Sequence, residues 1–429
     1  MSVKKRFQMQ RCAAASEQCG KRFCIRRGSL NDSKRFGDSQ SSTLQAPRTL
    51  CCNKYPSVYA HQPMIEIRPF SEEFADATAT LYFRAMRGQS RRPSAALAEY
   101  FCEILLRNPW ATPEIPSLVC LENGKVIAAL GVVPRPMEFR GQDIIAATLT
   151  QFMVDPDHRR GPAAIQLLRR CFQGPQNMTW VDGASDPVDR FHKACGSLPA
   201  YFYSLHWMRV LRPFETGRDV LSRFGGKGKV LRSVAALATI PADALISRLP
   251  MFRVRRPAFS CRPATTEELF ACIQEIGWRE PLKPRYDPAS FAWLTAQAAQ
   301  APSFGRFRTL IVYDSAGVRC GWLAYFAKNH GTAYLLQLGI RRADHFEPVL
   351  QALFADAWDQ GCAVVKGPSR PEYLTTLTRN QCLFRHPGSS ALIHSSNPDL
   401  LNTVRLGEAA LSGLDGERWQ RFAAESWQP

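Results

Sequence analysis

Nowhere in these 429 residues do about eighteen apolar residues follow one another, which excludes a membrane-spanning helix. The nearest stretch, Val230 to Leu249, is broken by Arg232, Pro241, Asp243 and Arg248. It reads as a linker helix packed on protein, with a helix lying on a membrane surface as the other reading. Zinc-type spacing is also missing: the 14 cysteines form no Cys-x-x-Cys pair, and no two histidines stand three to five residues apart. A bound metal is therefore not expected. Adjacent Cys51 and Cys52 do not suit an ordinary bridge, and no secretory-type leader is visible. Reduced thiols in a cytoplasmic protein are the economical expectation. Acidic residues are the charge in short supply, 37 against 55 basic, for a net charge of +18. Half of that excess sits in residues 1–63, which carry 12 Lys or Arg and 3 Asp or Glu. The remainder is mildly basic. That balance suits an anionic small molecule better than a dedicated nucleic-acid face, so no nucleic-acid partner is expected.

Hydrophobic residues make up 45% of the chain and aromatics 10%, enough for packed globular structure in two or three domains. Residues 1–63 lack hydrophobic periodicity and read as a basic disordered extension. A transit peptide, or a true start at Met64, are the other readings of that segment. Ile65 to Arg68 then alternates as a short strand. Ser71 to Arg87 reads as a helix capped by Ser71, and Ala95 to Leu106 as a second helix. Leu118 to Leu121 and Val126 to Val133 flank Glu122-Asn123-Gly124-Lys125, whose Asn-Gly pair suits a tight hairpin. Ile144 to Val154 is a strand, Pro162 to Cys171 a helix, Thr179 to Val181 a strand and Asp186 to Ala194 a helix. Trp207 to Leu211 reads as the terminal strand leaving the first domain. A connector at 214–258 carries Gly225-Gly226-Lys227-Gly228-Lys229. Beyond it come a helix (Thr265 to Gly277), a hairpin about Asp314 to Gly317, a strand (Thr332 to Ile340), a helix (His345 to Gln360) and a strand (Cys362 to Lys366). The Thr309 to Val318 run echoes Ser117 to Val126, which points to an internal repeat.

The most informative stretch runs from Val154 to Leu168: Val-Asp-Pro-Asp-His-Arg-Arg-Gly-Pro-Ala-Ala-Ile-Gln-Leu-Leu. A strand that ends in basic and small residues and then opens a helix makes an anion site. First-turn amides lack internal acceptors, and the helix dipole adds partial positive charge. This stretch, within the element order β-α-α-β-β-β-α-β-α-β, resembles the GNAT (N-acetyltransferase) superfamily. The resemblance covers most of residues 64–213 and, faintly, about 260–395. It implies an α/β (α+β) protein of two GNAT-like domains, each a mixed sheet flanked by helices: 64–213 binding acyl-CoA, and 259–429 a degenerate copy.

The same resemblance implies that acetyl-CoA or another acyl-CoA serves as cosubstrate. Main-chain groups of Phe152, Met153 and Val154 would pair with the pantetheine arm, while Arg159, Arg160, Gly161, Ala163 and Ala164 hold the diphosphate. The superfamily pattern of Arg or Gln, two spacers, Gly, one spacer and Gly or Ala places Pro162 where the first small residue belongs. Proline has no N–H to give a phosphate. A one-residue shift puts His158, Gly161 and Ala163 into the pattern instead. The second half has Arg341 and Arg342 at its equivalent junction, followed by Asp344 and Glu347, so it is expected not to bind CoA.

In that superfamily an acyl group passes from the thioester to an amine, and the thiolate leaves with help from an acid. Counting back from Gly196 places His192 at the position of the family's acid, with Tyr201 and Tyr203 as alternative donors. Asp182 and Asp186, around the end of the same strand, suit a base or a cation-binding group, Asp186 also as a helix cap. Cys171 and Cys195 have no base partner in view and read as buried thiols. The expected function is an N-acyltransferase, most simply an acetyltransferase, acting on the amine of a small molecule or sugar. Other readings are an acyl-CoA sensor or scaffold without turnover, a Fem-type aminoacyl transferase using charged tRNA, and nucleic-acid binding through residues 1–63. The acceptor, the acyl length and the oligomeric state are not encoded in any motif.

Overall fold

A computed structural model describes residues 65–90, 93–217, 249, 252–256, 259–386, 388–422 and 425–427. The extension at 1–63 and most of the connector lie outside the described residues. The first half contains strands β1 (Ile65–Pro69), β2 (Leu118–Glu122), β3 (Lys125–Phe139), β4 (Gln142–Val154), β5 (Met178–Ala184), β6 (Leu198–Pro199) and β7 (His206–Val210). Its helices are α1 (Ala75–Met86), α2 (Ala95–Leu105), α3 (Ala163–Phe172), α4 (Asp186–Ala194) and α5 (Tyr201–Ser204). The second half supplies β8 (Ser260–Pro263), β9 (Leu282–Pro284), β10 (Arg306–Tyr313), β11 (Arg319–Ala327), β12 (Thr332–Ile340), β13 (Val364–Pro368), β14 (Leu383–Arg385) and β15 (Ser390–His394). With them come α6 (Thr266–Ile276), α7 (Pro288–Ala299), α8 (Phe346–Asp359), α9 (Leu374–Arg379) and α10 (Pro398–Leu406).

Local chemistry accounts for most of these elements. Asn123 and Gly124 adopt φ of 50° and 78°, so the β2–β3 hairpin turns where the Asn-Gly pair stands. Thr265 and Glu268 close a reciprocal capping box on α6. Ser71 does not cap a long helix as expected. It precedes a short 3-10 turn (Glu72–Phe74), and its hydroxyl bonds Glu73 at 3.1 Å instead. Strand β3 runs six residues beyond the expected Val133, through Pro134 and Pro136. β2 accompanies β3 only as far as Leu130, so both prolines lie past the end of that ladder. The Arg285 amide reaches the Pro136 carbonyl there, at 3.0 Å. A missing N–H is tolerated at such an open edge.

The two sheets have matching plans. One has the order β1-β2-β3-β4-β5-β15-β6, with β9 added on β3; the other runs β8-β10-β11-β12-β13-β7-β14. In both, antiparallel strands lead to one parallel pair, β4 with β5 and β12 with β13. The halves exchange strands. β7, from the end of the first half, pairs with β13, and β15, from the end of the second, pairs with β5. Trp207 to Leu211 is therefore not the terminal strand of the first domain: it belongs to the second sheet. A cut at residue 213 separates neither sheet. Residues 61–429 form one unit. The largest core cluster joins Phe83, Phe101 and Val133 of the first half to Phe291, Trp322 and Phe326 of the second. Trp419, Phe422 and Trp427 of the C-terminal segment pack into it.

Candidate functional site

β4 and β5 pair for three residues only, Ala146 to Thr148 against Met178 to Trp180. Beyond that point they part, while β3 holds the other edge of β4 as far as Val154. Gln151 takes φ of 48° at the irregular stretch of that ladder. A bulge in a strand redirects main-chain groups, here into the split. The C-terminal segment fills the split on the face toward the second sheet. Thr148 Oγ1 donates to the Asp415 carbonyl at 3.3 Å and Thr150 Oγ1 to Gln420 Oε1 at 2.6 Å. The Glu417 amide donates to Asp182 Oδ1 at 3.1 Å, and Arg418 pairs with the same carboxylate at 3.3 Å. The Glu417 carboxylate lies beside Gly183, where a side-chain carbon would collide with it, and faces Thr150 and the Gln151 amide. Burial and the neighbouring Asp182 push its pKa up to about 7. A carboxyl with that pKa, beside a bulge amide, can exchange a proton near neutrality.

At the far end of β4 the chain turns through Asp155 and a 3-10 turn (Pro156–His158) into α3. Arg84 of α1 braces this turn, pairing with buried Asp155 at 2.7 Å and with Asp157 at 2.8 Å. His158 Nε2 meets Glu122 Oε2 at 3.0 Å. The Gln166 amide is bonded to the Pro162 carbonyl, so the amides of Ala163, Ala164 and Ile165 open the helix without an internal acceptor. Ala163 locks the helix down in the core under the first sheet, and Ala164 is buried beside it. Arg160 is exposed at the mouth of the turn. Arg159 is exposed too, but its guanidinium donates to the Ala85 carbonyl at 3.0 Å. The Gly161 amide is occupied by the His158 carbonyl at 2.9 Å, so Gly161 offers close approach rather than a donor.

A split parallel pair, a bulge on its first strand and an open helix N-terminus after it frame a site for a diphosphate with a long arm. Residues 66–178 match the family model described as the acetyltransferase (GNAT) domain. The chain carries a GNAT domain. Solved structures with a similar fold include a probable N-acyltransferase of Enterococcus faecalis V583, with TM-score 0.52 and 11% identity over 80% of this chain and 73% of that one. A GCN5-related N-acetyltransferase of Anabaena variabilis ATCC 29413 has TM-score 0.50 and 13% identity, covering 78% and 73%. An N-myristoyltransferase of Saccharomyces cerevisiae with bound myristoyl-CoA has TM-score 0.46 and 13% identity, covering 83% and 87%. No curated protein sequence matches the chain.

The expected site residues fall into three groups. Phe152, Met153 and Val154 follow the bulge on the split stretch of β4; Met153 points into the shared core, and Phe152 and Val154 are half-buried. Arg159, Arg160, Gly161, Ala163 and Ala164 gather at the helix mouth. His192 reaches across from α4, its ring 6.3 Å from that of Phe152 in an edge-on contact. Only 2% of His192 is exposed, and burial pushes its pKa down to about 4. The neutral-range titration expected of it is thus not what this environment provides. Its Nδ1 lies 3.3 Å from Ser197 Oγ, and its buried Nε2 has no partner among the described residues. Tyr201 is 73% exposed on the short α5. Asp186 is exposed in the first turn of α4, where Ser185 holds the cap position. Tyr203 is a packing residue whose hydroxyl donates to the Ala409 carbonyl at 2.8 Å. Burial raises the thiol of Cys171 to about 12 and that of Cys195 also upward, so both stay protonated. At the second junction, Arg341 is tied to Glu275 and Arg342 to Asp344 at 2.7 Å.

Glu417, Arg418 and Gln420 escaped the sequence reading. They follow the last patterned element by more than ten residues, and no local motif marks them. Their only available signal was a run rich in Trp and Phe after α10, which marks a segment that must be buried.

Proposed function

We propose that the protein is an N-acyltransferase that moves an acyl group from acyl-CoA to the amine of a small molecule. The observation that carries this reading is the β4–β5 split, with an open helix N-terminus at one end and the Glu417 carboxylate at the other. The diphosphate would sit on the amides of Ala163, Ala164 and Ile165 beside Arg160. The pantetheine arm would lie along Phe152 to Val154, adding to the free edge of β4. Glu417 would take the proton from the attacking amine, its raised pKa matching that task near neutral pH. His192, neutral and with a free ring nitrogen, would offer the departing sulfur a hydrogen bond rather than a charge. The C-terminal half would close the acceptor side of the split.

Acetyl-CoA titration followed by transfer to a panel of amines tests the reading. We expect saturable binding and turnover, with Glu417→Gln keeping binding and losing about 100-fold or more of the rate. Binding without turnover on any amine would leave an acyl-CoA-binding protein; an absence of binding would end the proposal.

A further inference from the structure

β14 (Leu383–Arg385) is the last strand of the second sheet, and its outer edge has no paired strand among the described residues. An open edge offers main-chain N–H and C=O groups to any extended chain that reaches it. The strand itself is held in place, since it pairs with β7 along its whole length. Opposed residues share a face. Leu383 and Arg385 therefore stand with Met208 and His206, while Phe384 stands with the buried Trp207. Leu383 is 61% exposed and Phe384 36%. Each face of the edge thus presents one apolar side chain to solvent.

The charge carried by this end of the sheet has one sign. Residues 190–214, 360–371 and 373–398, which contain β7, β13 and β14, hold eight Lys or Arg and no Asp or Glu. Arg379 ends α9 shortly before the strand, Arg385 closes it and His386 follows; all three are exposed. Arg379 and Arg385 make no ion pair among the described residues. Lys366 of β13 stands opposite Met208, on the face that holds Leu383 and Arg385. His206 registers the result. Burial first, and then Arg418, His386, Arg385 and Lys366, push its imidazole down to about 3. The four charges that act on it most strongly are all positive.

That sign selects the occupant. A second copy of the chain would bring Arg379, Arg385 and His386 against themselves. Residues 1–63 carry the same sign, with 12 Lys or Arg against 3 Asp or Glu. Two apolar side chains give a lipid surface little to bury. An extended chain with acidic side chains suits both the open edge and the charge. We propose that the β14 edge docks an extended acidic segment of a partner protein, which joins the second sheet as a further strand. Main-chain pairing supplies the hold and alternate side chains the selection. On one face an acidic residue meets Arg385 and an apolar one meets Leu383; on the other an apolar residue meets Phe384. Docking here needs no acyl transfer and goes beyond that reading.

Fluorescence anisotropy of the full chain with labelled octapeptides tests this. The probes are Thr-Val-Asp-Leu-Val-Asp-Val-Thr, the same peptide with Lys for each Asp, and the acidic peptide N-methylated at its four central amides, which cannot pair as a strand. The expected result is saturable binding of the acidic peptide, at least about tenfold tighter than either control and weaker at high salt. Hydrogen exchange in residues 383–385 slows when it binds. Arg385→Glu loses at least about tenfold in affinity for the acidic peptide, gains affinity for the lysine peptide and keeps the wild-type melting temperature. Equal affinity for the three probes, no binding of the acidic peptide, or an unchanged affinity in Arg385→Glu overturns the proposal. Binding to vesicles of phosphatidylserine and phosphatidylcholine in place of the peptide would overturn it in favour of a lipid surface. Slowed exchange in the same residues on dimerisation, without peptide, would overturn it in favour of a second copy.

Discussion

Glu417 and His192 sit on either side of the split and are shifted in opposite directions by the same cause, loss of water. For Glu417, burial and Asp182 disfavour the carboxylate, and its pKa moves up to about 7. In an acyl transfer that needs the carboxylate, the rate falls tenfold per pH unit below about 7. Rate profiles of Glu417→Gln should lack that acidic limb and keep only the one set by the amine. For His192, burial disfavours the imidazolium and the pKa drops to about 4. A folded-state value below the ordinary 6.5 means stability present above pH 6.5 and lost as pH falls toward 4. His206, held down to about 3 mainly by burial, adds to the same loss. His192→Phe, placed among Phe152 and Phe172, should recover up to about 3 kcal/mol of stability at pH 4 while changing little at pH 8. Urea melts at the two pH values measure this; equal destabilisation at both would contradict the assignment. The sequence pointed to His192 through its spacing from Gly196 but could say nothing of its environment. Glu417 was illegible because its partners, Thr150 and Asp182, stand more than 200 residues away in the chain.

At the scale of elements, the turn from β4 into α3 depends on a brace supplied by another helix. Asp155 is buried and Arg84 neutralises it from α1. Arg84→Ala leaves a buried carboxylate with the Asp157 amide and, at 3.8 Å, the His158 ring, and should cost about 3 kcal/mol. It should also weaken coenzyme binding by loosening residues 156–162. Urea unfolding and coenzyme titration read the two effects, and a loss under about 0.5 kcal/mol would mean the pair is only a surface contact. The open helix N-terminus was legible in the sequence because it needs only local rules: an apolar strand, a Pro-Asp turn, small residues and a helix. The Asn123-Gly124 hairpin and the capping box of α6 were legible for the same reason. The reach of β3 past Pro134 and Pro136 was not, because it depends on where the neighbouring strand stops.

For the whole molecule, the exchange of β7 and β15 makes the halves inseparable. Each sheet has its parallel pair flanked by a strand from the other half, and the C-terminal aromatic residues lie in the core between them. A fragment of residues 64–258 would leave β5 without β15 and β7 without β13. It should show no cooperative thermal transition, whereas the full chain should melt in one step; a cooperative transition in the fragment would contradict the shared core. The repeat was visible in the sequence as an echo between two hairpins. The exchange was not, since a strand's pattern records that it pairs and not with which sheet. Unification of the halves also lines the split with the C-terminal segment, whereas the turn from β4 into α3 belongs to the first half alone; in the proposed function these are the acceptor side and the coenzyme side. That division has one direct test: an equilibrium titration of acetyl-CoA against wild type and an Arg159→Glu, Arg160→Glu double variant. The account predicts wild-type saturation at one site per chain, and at least about tenfold weaker binding in the variant with an unchanged melting temperature. Equal affinity in the two proteins would contradict it.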